Sequence, residues 1–342
     1  MNVSYFYMTT QGEATARKLC QALPGEIYGK TDYKERVRAV WDEADAIVFI
    51  MATGIAVRTI APLLRSKTSD PAVIVMDQNG RFVISLLSGH LGGANRLAAQ
   101  LAKICGGMPV ITTGTDAAGV PAMDLFAQKN RLRIENIGML KYISSAMIEG
   151  QPLAVGTVRP IEGRFPDNVT VMPVHEAAQF EGPAVIIGKT APGHIEEETY
   201  PRLYLTIRDL VVGVGCKKDM PFENLMEAFR QFTDSAGIPL KRIGAVATFE
   251  MKKDEPCIRA LAKTLEVSLI IFTKEDIDTI DMDHAGGKKI QVSQFVRQTT
   301  GVGSVSEACA YLGAGCGHIM IGKTKYSGIT FALAKDERSL KL

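Results

Sequence analysis

Long apolar runs are missing from this sequence. The longest candidate, from Asp45 to Val57, is followed at once by Arg58, and it falls short of the ~18 consecutive apolar residues that a membrane-spanning helix requires. An excess of one charge is missing too. Thirty-nine Lys and Arg stand against 37 Asp and Glu, for a net charge of +2. That excludes a nucleic-acid or membrane-surface protein held by bulk electrostatics. The six cysteines (Cys20, Cys105, Cys216, Cys257, Cys309, Cys316) are scattered and the histidines number five (His90, His175, His194, His284, His318). No cysteine pair has the two-residue spacing of zinc ribbons or redox motifs, so no metal site is expected and the thiols should be reduced core residues. A P-loop, a Gly-x-Ser-x-Gly elbow and repeats of solenoid period are likewise absent. The opening MNVSYFYMTTQG has no basic n-region or cleavage site, so no signal peptide is expected and the cytosol is the expected location.

What is present is an ordinary folding composition. The chain has 342 residues, 46% hydrophobic and 22% charged, enough for two to three domains with cores that need no staples. In the first third, short apolar runs alternate with amphipathic stretches, the sign of an α/β sheet with crossover helices. Val3–Met8, Asp45–Met51 and Ala72–Met76 read as strands. Glu13–Ala22 and Ile55–Leu64 read as helices. Asp77-Gln78-Asn79-Gly80 signals a hairpin into Arg81–Leu87. A helix with Ala94, Leu97, Ala98, Leu101 and Ile104 on one face should end at Gly106-Gly107, before a strand at Pro109–Thr113. The hairpin makes one of its two strands antiparallel to the rest. The choice taken is 72–76, because it alone puts His90 on the edge shared by the other strand ends.

From 119 to 208 prolines punctuate short strands (Val169–Val174, Ala184–Gly188) and a helix (Leu140–Ile148), and Glu196-Glu197-Glu198 reads as a solvated surface. A further βαβ unit begins at Leu210. It runs through LVVGVGC, a helix from Pro221, the strand Ile243–Thr248, a helix from Glu255 and the strand Val267–Phe272. A helix at Ser306–Leu312 and a strand pair around Tyr326-Ser327-Gly328 complete it. The expected fold is α/β: an N-terminal open sheet domain (1–118), a small middle α/β domain (119–208) and a C-terminal α/β domain (209–342).

Small polar residues and glycines gather where strands give way to helices. They are Thr9-Thr10-Gln11-Gly12, Thr53-Gly54, Ser88-Gly89-His90-Leu91-Gly92-Gly93-Ala94-Asn95 and Thr113-Gly114-Thr115-Asp116. In open α/β sheets the carboxyl ends of parallel strands line one crevice where ligands bind. His90, set between glycines ahead of a helix N-terminus, fits a general base beside free N–H donors that would hold an oxyanion or carboxylate. It equally fits a satisfied polar residue in a backbone turn. Gly213-Val214-Gly215-Cys216 lacks the third glycine and the acidic residue of a dinucleotide site. Thr299-Thr300-Gly301-Val302-Gly303-Ser304-Val305-Ser306-Glu307 is a glycine loop entering a helix, which Ser304 or Ser306 can cap. Cys216, with no histidine near it in sequence, reads as a buried thiol rather than a nucleophile.

The string LLSGHLGGANRLAAQLA, preceded by MATGIAVR and the Asp77–Gly80 turn, strongly resembles the CbiG family, the cobalt-precorrin-5A hydrolases of anaerobic cobalamin biosynthesis. VVGVGC, FVRQTTGVGSVSEACAYLGAG and GITFALA resemble the C-terminal CbiG/CobE-like domain of that family. The resemblance covers 1–118 and 209–335 by motif and the middle segment by position and length. It departs at Lys217-Lys218, where arginine is more usual.

This resemblance implies a cobalt-bound, ring-contracted tetrapyrrole substrate, whose δ-lactone is opened with water and which loses acetaldehyde to give cobalt-precorrin-5B. The cobalt is carried by the substrate, so no cofactor and no metal ligands are expected of the protein. His90, Asp116 and Glu307 are the candidate catalytic residues, with the choice of base among them open, and the Gly92 and Gly93 amides are the candidate oxyanion donors. Thr53, Gly54, Arg58, Ser88, Gly89, Gly92, Gly93, Asn95, Thr113, Gly215, Cys216, Thr300, Gly301, Gly303 and Ser304 are the candidate substrate-binding residues. Arg58, Arg96, Lys217, Lys218, Lys323 and Lys325 are the cations available for the substrate's carboxylates. Ligand size favours a cleft between domains. Transient contact with other cobalamin-pathway enzymes fits this setting; nucleic acid and membrane do not. The oligomeric state stays open, a homodimer being one option. Two other readings stand beside the hydrolase: a non-catalytic corrinoid-binding or channelling protein, and a nucleotide-binding module built on the Gly213 and Gly301 loops.

Overall fold

The computed structural model describes residues 1–66, 69–188, 199–285, 290 and 304–342. They divide into two compact units. One comprises 1–128, 140–152 and 165–168; the other comprises 129–139, 153–164 and 169–342.

The first unit is built on β1 (Val3–Tyr7), α1 (Thr10–Ala22), β2 (Glu26–Tyr28), α2 (Tyr33–Val40), β3 (Ala46–Ile50), α3 (Thr53–Ile60), β4 (Ala72–Met76), β5 (Phe82–Leu87), α4 (Ala94–Cys105) and β6 (Met108–Val110). The six strands form one sheet in the order β2-β1-β3-β4-β5-β6. β1, β3 and β4 are buried along nearly their whole length, as apolar strands covered on both faces should be. α4 lays Leu97, Ala98 and Leu101 on the sheet and ends at Gly106, whose φ of 75° is the left-handed cap expected of it. The short β2 and α2 had no counterpart in the sequence reading.

The strand directions correct that reading. β3 and β4 are parallel, β4 and β5 antiparallel, and β5 and β6 parallel. The reversed strand is therefore 82–87, not 72–76. α3 connects β3 to β4 as a crossover, which keeps the two strands parallel. The Asp77–Gly80 turn then reverses the chain at once: Asp77 Oδ1 and Oδ2 accept the N–H groups of Asn79 and Phe82 at 2.9 and 2.8 Å, and Gly80 takes φ 68°. β6 follows β5 across α4 and inherits its direction. The carboxyl ends of β1, β3 and β4 thus lie at one edge of the sheet and those of β5 and β6 at the other. The single shared crevice expected from the glycine clusters does not exist.

α5 (Gly114–Ala118) and α6 (Met123–Lys129) follow β6. In the second unit, β7 (Leu132–Ile134) is antiparallel to its neighbour in a five-stranded sheet. α7 (Leu140–Ile148), which belongs to the first unit, intervenes in sequence before β8 (Leu153–Thr157), β9 (Ile161–Glu162), β10 (Val169–Met172), α8 (Val174–Ala178), β11 (Ala184–Gly188) and β12 (Arg202–Ile207). The sheet order is β10-β8-β11-β12-β7. Glu196-Glu197-Glu198 lies outside the described residues.

The last sheet has the order β15-β14-β13-β17-β16. It contains β13 (Leu210–Cys216), α9 (Phe222–Ser235), β14 (Ile243–Phe249), α10 (Pro256–Thr264), β15 (Ser268–Phe272), α11 (Lys274–Asp278), α12 (Ser306–Gly313), β16 (His318–Tyr326) and β17 (Ile329–Lys335); β18 (Leu340–Lys341) pairs with β9. β13, β14 and β15 are parallel, while β16 and β17 form the expected antiparallel hairpin. Phe232 from α9 stacks on Phe331 of β17 at 5.3 Å between ring centres and Phe229 meets the same ring edge-on at 5.7 Å, filling one face of the sheet.

α12 covers the opposite face, and this explains the glycine pattern of LVVGVGC. A Cβ on Gly213 would stand 1.8 Å from the Ser306 carbonyl oxygen and 2.8 Å from the Ala310 nitrogen. Gly213 is a mid-strand seat for a helix backbone, not part of a phosphate loop. Gly213→Ala is expected to destabilise by roughly 3 kcal/mol, the upper part of the range for overpacking, because a backbone carbonyl has no rotamer by which to retreat. Urea denaturation measures it; an unchanged midpoint would mean that α12 can lift off the strand freely.

Candidate active site

The carboxyl ends of β5 and β6 carry the polar loop. Ser88 takes φ 57° and Gly93 φ 83°, and this double reversal folds 88–93 back onto the start of α4. The Ala94 and Asn95 N–H groups donate to Ser88 O and Gly89 O at 3.1 and 3.0 Å, and the Gly93 N–H donates to His90 O at 2.8 Å. The expectation of free donors at this helix N-terminus is therefore corrected. The loop itself satisfies the first two helical amides, and Gly93 cannot serve as an oxyanion donor while it holds His90 O. Gly89 and Gly92 are structural requirements: a Cβ on Gly89 would stand 2.7 Å from Asn95 Oδ1, and one on Gly92 2.4 Å from Ser88 Cβ.

The fold places the His90 imidazole between two carboxylates. Nδ1 is 3.2 Å from Asp124 Oδ2, at the start of α6, and Nε2 is 3.0 Å from Asp116 Oδ2, in α5. Thr115 Oγ1 lies 3.2 Å from Nε2. Asn95 braces the same group. Its Nδ2 donates to Asp116 Oδ2 at 3.0 Å and to Thr113 Oγ1 at 2.8 Å, and its Oδ1 accepts from Ser85 Oγ at 2.7 Å. The ring is 14% exposed and Asp124 16%, whereas Asp116 is 41% exposed and forms the open end of the chain.

Electrostatics follow from this geometry. The hydrogen bond to Asp124 raises the His90 pKa above the usual imidazole value of 6.5; burial works against it, and Asp116 adds to it. Burial pushes the Asp124 carboxyl up, but the hydrogen bond and charge of His90 and the Leu125 N–H outweigh this and leave it below the usual 3.8. Ionised carboxylates only accept. With Asp124 taking the Nδ1 proton, Nε2 is the nitrogen that can gain or lose a proton beside Asp116 and the Thr115 hydroxyl. Such an arrangement is chemically able to act as an oriented acid–base relay. Of its members, the sequence reading singled out His90, Asn95, Thr113 and Asp116 as site residues but not Thr115, Asp124 or Ser85. Asp124's one local signal is an acid in the first turn of a helix behind Pro121.

Thr53 lies at the other edge of the first sheet. There a cavity of about 490 Å³ is lined by Met8, Thr9, Met51, Thr53, Gln78 and Phe82 among others, within the size range of small-molecule sites. Thr9 caps α1, accepting the Gly12 N–H at 3.0 Å, and donates to Gln78 Oε1 at 2.9 Å. Gly54 O accepts Arg58 Nη1 at 3.0 Å. Thr53, Gly54 and Arg58 follow β3, so they are at the strand end opposite to that which bears His90.

Glu307 belongs to the second unit and is 3% exposed; its Oε1 accepts the Lys323 N–H at 2.8 Å and its Oε2 is 3.5 Å from Ser304 Oγ. Its carboxylate is engaged in holding β16 to α12. The α12 cap is Val305, without a side-chain hydrogen bond, so neither serine caps it as expected. Thr300, Gly301 and Gly303 lie outside the described residues. Gly215 and Cys216 end β13 beside Thr330 and Ile329 of β17. Lys217, which donates its N–H to Gly328 O at 2.9 Å, shares that end of the sheet with Lys325, two strands away.

Among the described residues no helix is long and apolar enough to cross a membrane. The family described as cobalamin synthesis G matches through its N-terminal part at residues 35–116, its central region at 121–210 and its C-terminus at 210–334. Cobalt-precorrin-5A hydrolase of Salmonella typhimurium is 30% identical over 97% of this chain and 97% of its own. The protein of that name from Priestia megaterium is 27% identical over 86% of this chain and 80% of its own. Protein CobE of Sinorhizobium sp is 26% identical over 33% of this chain and 70% of its own. The chain belongs to the cobalamin synthesis G (CbiG) family.

Proposed function

We propose that the chain is a cobalt-precorrin-5A hydrolase, the activity named for its Salmonella and Priestia relatives, and that His90 is its general base. The observation that carries the second part is the Asp124–His90–Asp116 relay, in which a ring nitrogen faces an exposed carboxylate.

Hydrolysis of a lactone needs a proton removed from water as it adds to the acyl carbon, and a proton delivered to the alkoxide that leaves. Neutral His90 takes the first proton on Nε2. Asp124, on Nδ1, stabilises the imidazolium so formed, and that imidazolium returns the proton to the departing oxygen. The opened hydroxyl then loses its proton to the same base. The adjacent carbon–carbon bond breaks, its electron pair passes into the conjugated macrocycle, and acetaldehyde leaves. The cobalt is part of the substrate, and the reaction uses no resident cofactor. The substrate's acetate and propionate groups call for cations. Arg96, in α4, whose guanidinium would lie 3.7 Å from a Cβ on Gly93 in the His90 loop, supplies one as a charge-assisted partner.

The test is incubation of the purified protein with cobalt-precorrin-5A. Acetaldehyde is trapped and the macrocycle weighed by mass spectrometry. One acetaldehyde per macrocycle is expected. Tight binding seen by visible-spectrum titration, with the macrocycle mass unchanged, would replace the hydrolase with a corrinoid-binding or channelling protein.

A further inference from the structure

Three side chains far from His90 in sequence converge in the second unit. Cys216 ends β13. Glu255 is the N-cap of α10, and Cys257 lies in that helix's first turn. The two sulfurs are 3.9 Å apart although 41 residues separate them in sequence, and a carboxylate oxygen of Glu255 lies within 4.8 Å of both. Two thiolates bound to one tetrahedral zinc at ~2.3 Å stand about 3.8 Å from each other. The observed separation already has that value, whereas a disulfide requires ~2.05 Å.

Glu255 points to the same ligand. It is 8% exposed, and while Oε2 accepts Lys252 Nζ at 3.0 Å, Oε1 is buried with no hydrogen-bond partner among the described residues. A buried carboxylate oxygen left unpaired is costly unless something positive meets it. Charge closes as well: two thiolates and one carboxylate balance one divalent cation together with the Lys252 ammonium. Backbone N–H groups at the start of α10 pull the Cys257 thiol toward thiolate, although burial outweighs them in the unbound site.

We propose that Cys216, Glu255 and Cys257 form a binding site for a thiophilic divalent cation, zinc above all, which clips the end of β13 to the start of α10. The site is independent of the lactone chemistry. Sequence spacing argued against any metal site because its rules look for ligands close together in the chain, and this set is assembled by two packed elements. Burial holds the Cys216 thiol up at about 12 and raises that of Cys257, so binding displaces thiol protons, as it does at other thiolate sites.

The test uses the full chain, stripped with chelator and kept reduced with a phosphine. Zinc titration by calorimetry should give one equivalent bound, and cobalt(II) in its place should show thiolate-to-cobalt charge-transfer absorption. Cys216→Ser and Cys257→Ser should each weaken zinc binding by at least about tenfold, the loss typical even of outer-shell partners, and Glu255→Gln should weaken it less. Cys316→Ser, at an exposed thiol elsewhere, should leave binding unchanged. Zinc should also shield Cys216 and Cys257, and no other cysteine, from maleimide when labelled peptides are mapped by mass spectrometry; this readout needs no variant. The proposal is overturned if the reduced wild-type protein retains no zinc after dialysis, if the serine variants bind as tightly as the parent, or if zinc protects neither cysteine.

Discussion

Replacing His90 with alanine is expected to lower kcat/KM for lactone opening by about 10²–10⁴-fold, equivalent to roughly 3–5 kcal/mol of transition-state stabilisation. Among the described residues the ring alone touches both Asp124 and Asp116, and its removal breaks the relay between the two carboxylates. The pH profile separates this role from a structural one. The folded-state pKa of His90 is raised, so the imidazolium persists above the usual 6.5, and the base is available only as pH rises through that higher value. Activity should therefore climb on an acidic limb centred above 6.5. Asp124→Asn removes the charge that supports the imidazolium, so its limb should move to lower pH while the plateau falls. Steady-state acetaldehyde release across a pH series measures both effects. A His90→Ala enzyme within threefold of the parent, or an Asp124→Asn limb that stays in place, would assign the base elsewhere, with Asp116 next in line.

Asp209→Ala is expected to cost ~3 kcal/mol or more of stability, the range found when one partner of a buried ion pair is removed. Asp209 is 2% exposed, and its two carboxylate oxygens accept Nε and Nη2 of Arg242, each at 2.8 Å. Arg159 Nη2 reaches the same carboxylate at 3.4 Å. The hydrogen bonds that Arg242 donates to Asp209 hold its pKa above the usual value while burial opposes them. Alanine leaves two largely buried guanidinium groups facing an empty place. For a unit of this size the midpoint should fall by roughly 10 °C. Asp209→Ala combined with Arg242→Met should recover part of the loss, because the orphaned charge goes with it. Differential scanning calorimetry of the three proteins decides the matter: if the single variant melts within a degree of the parent, the pair is solvated and contributes little.

Much of the fold was legible before any coordinates. The strands at 184–188 and 210–216 end where their apolar runs end, and α4 stops at the glycine that its hydrophobic spacing pointed to. These features are local: a buried strand must be apolar, a helix must present one apolar stripe, and a left-handed cap favours glycine. β2 was not legible, because three half-exposed residues carry no periodicity.

The long motifs around Ser88–Asn95 and 295–315 by themselves determined the family, since chemical identity is written directly in residue order. Strand direction was decided by the tertiary structure alone, because a hairpin signal states that the chain reverses and not which arm keeps the sheet's sense. The same holds for the partners of His90 and of Cys216. Asp124 reaches the imidazole, and Cys257 the Cys216 thiol, only once separate elements pack together, and no spacing rule applied along the chain contains that distance.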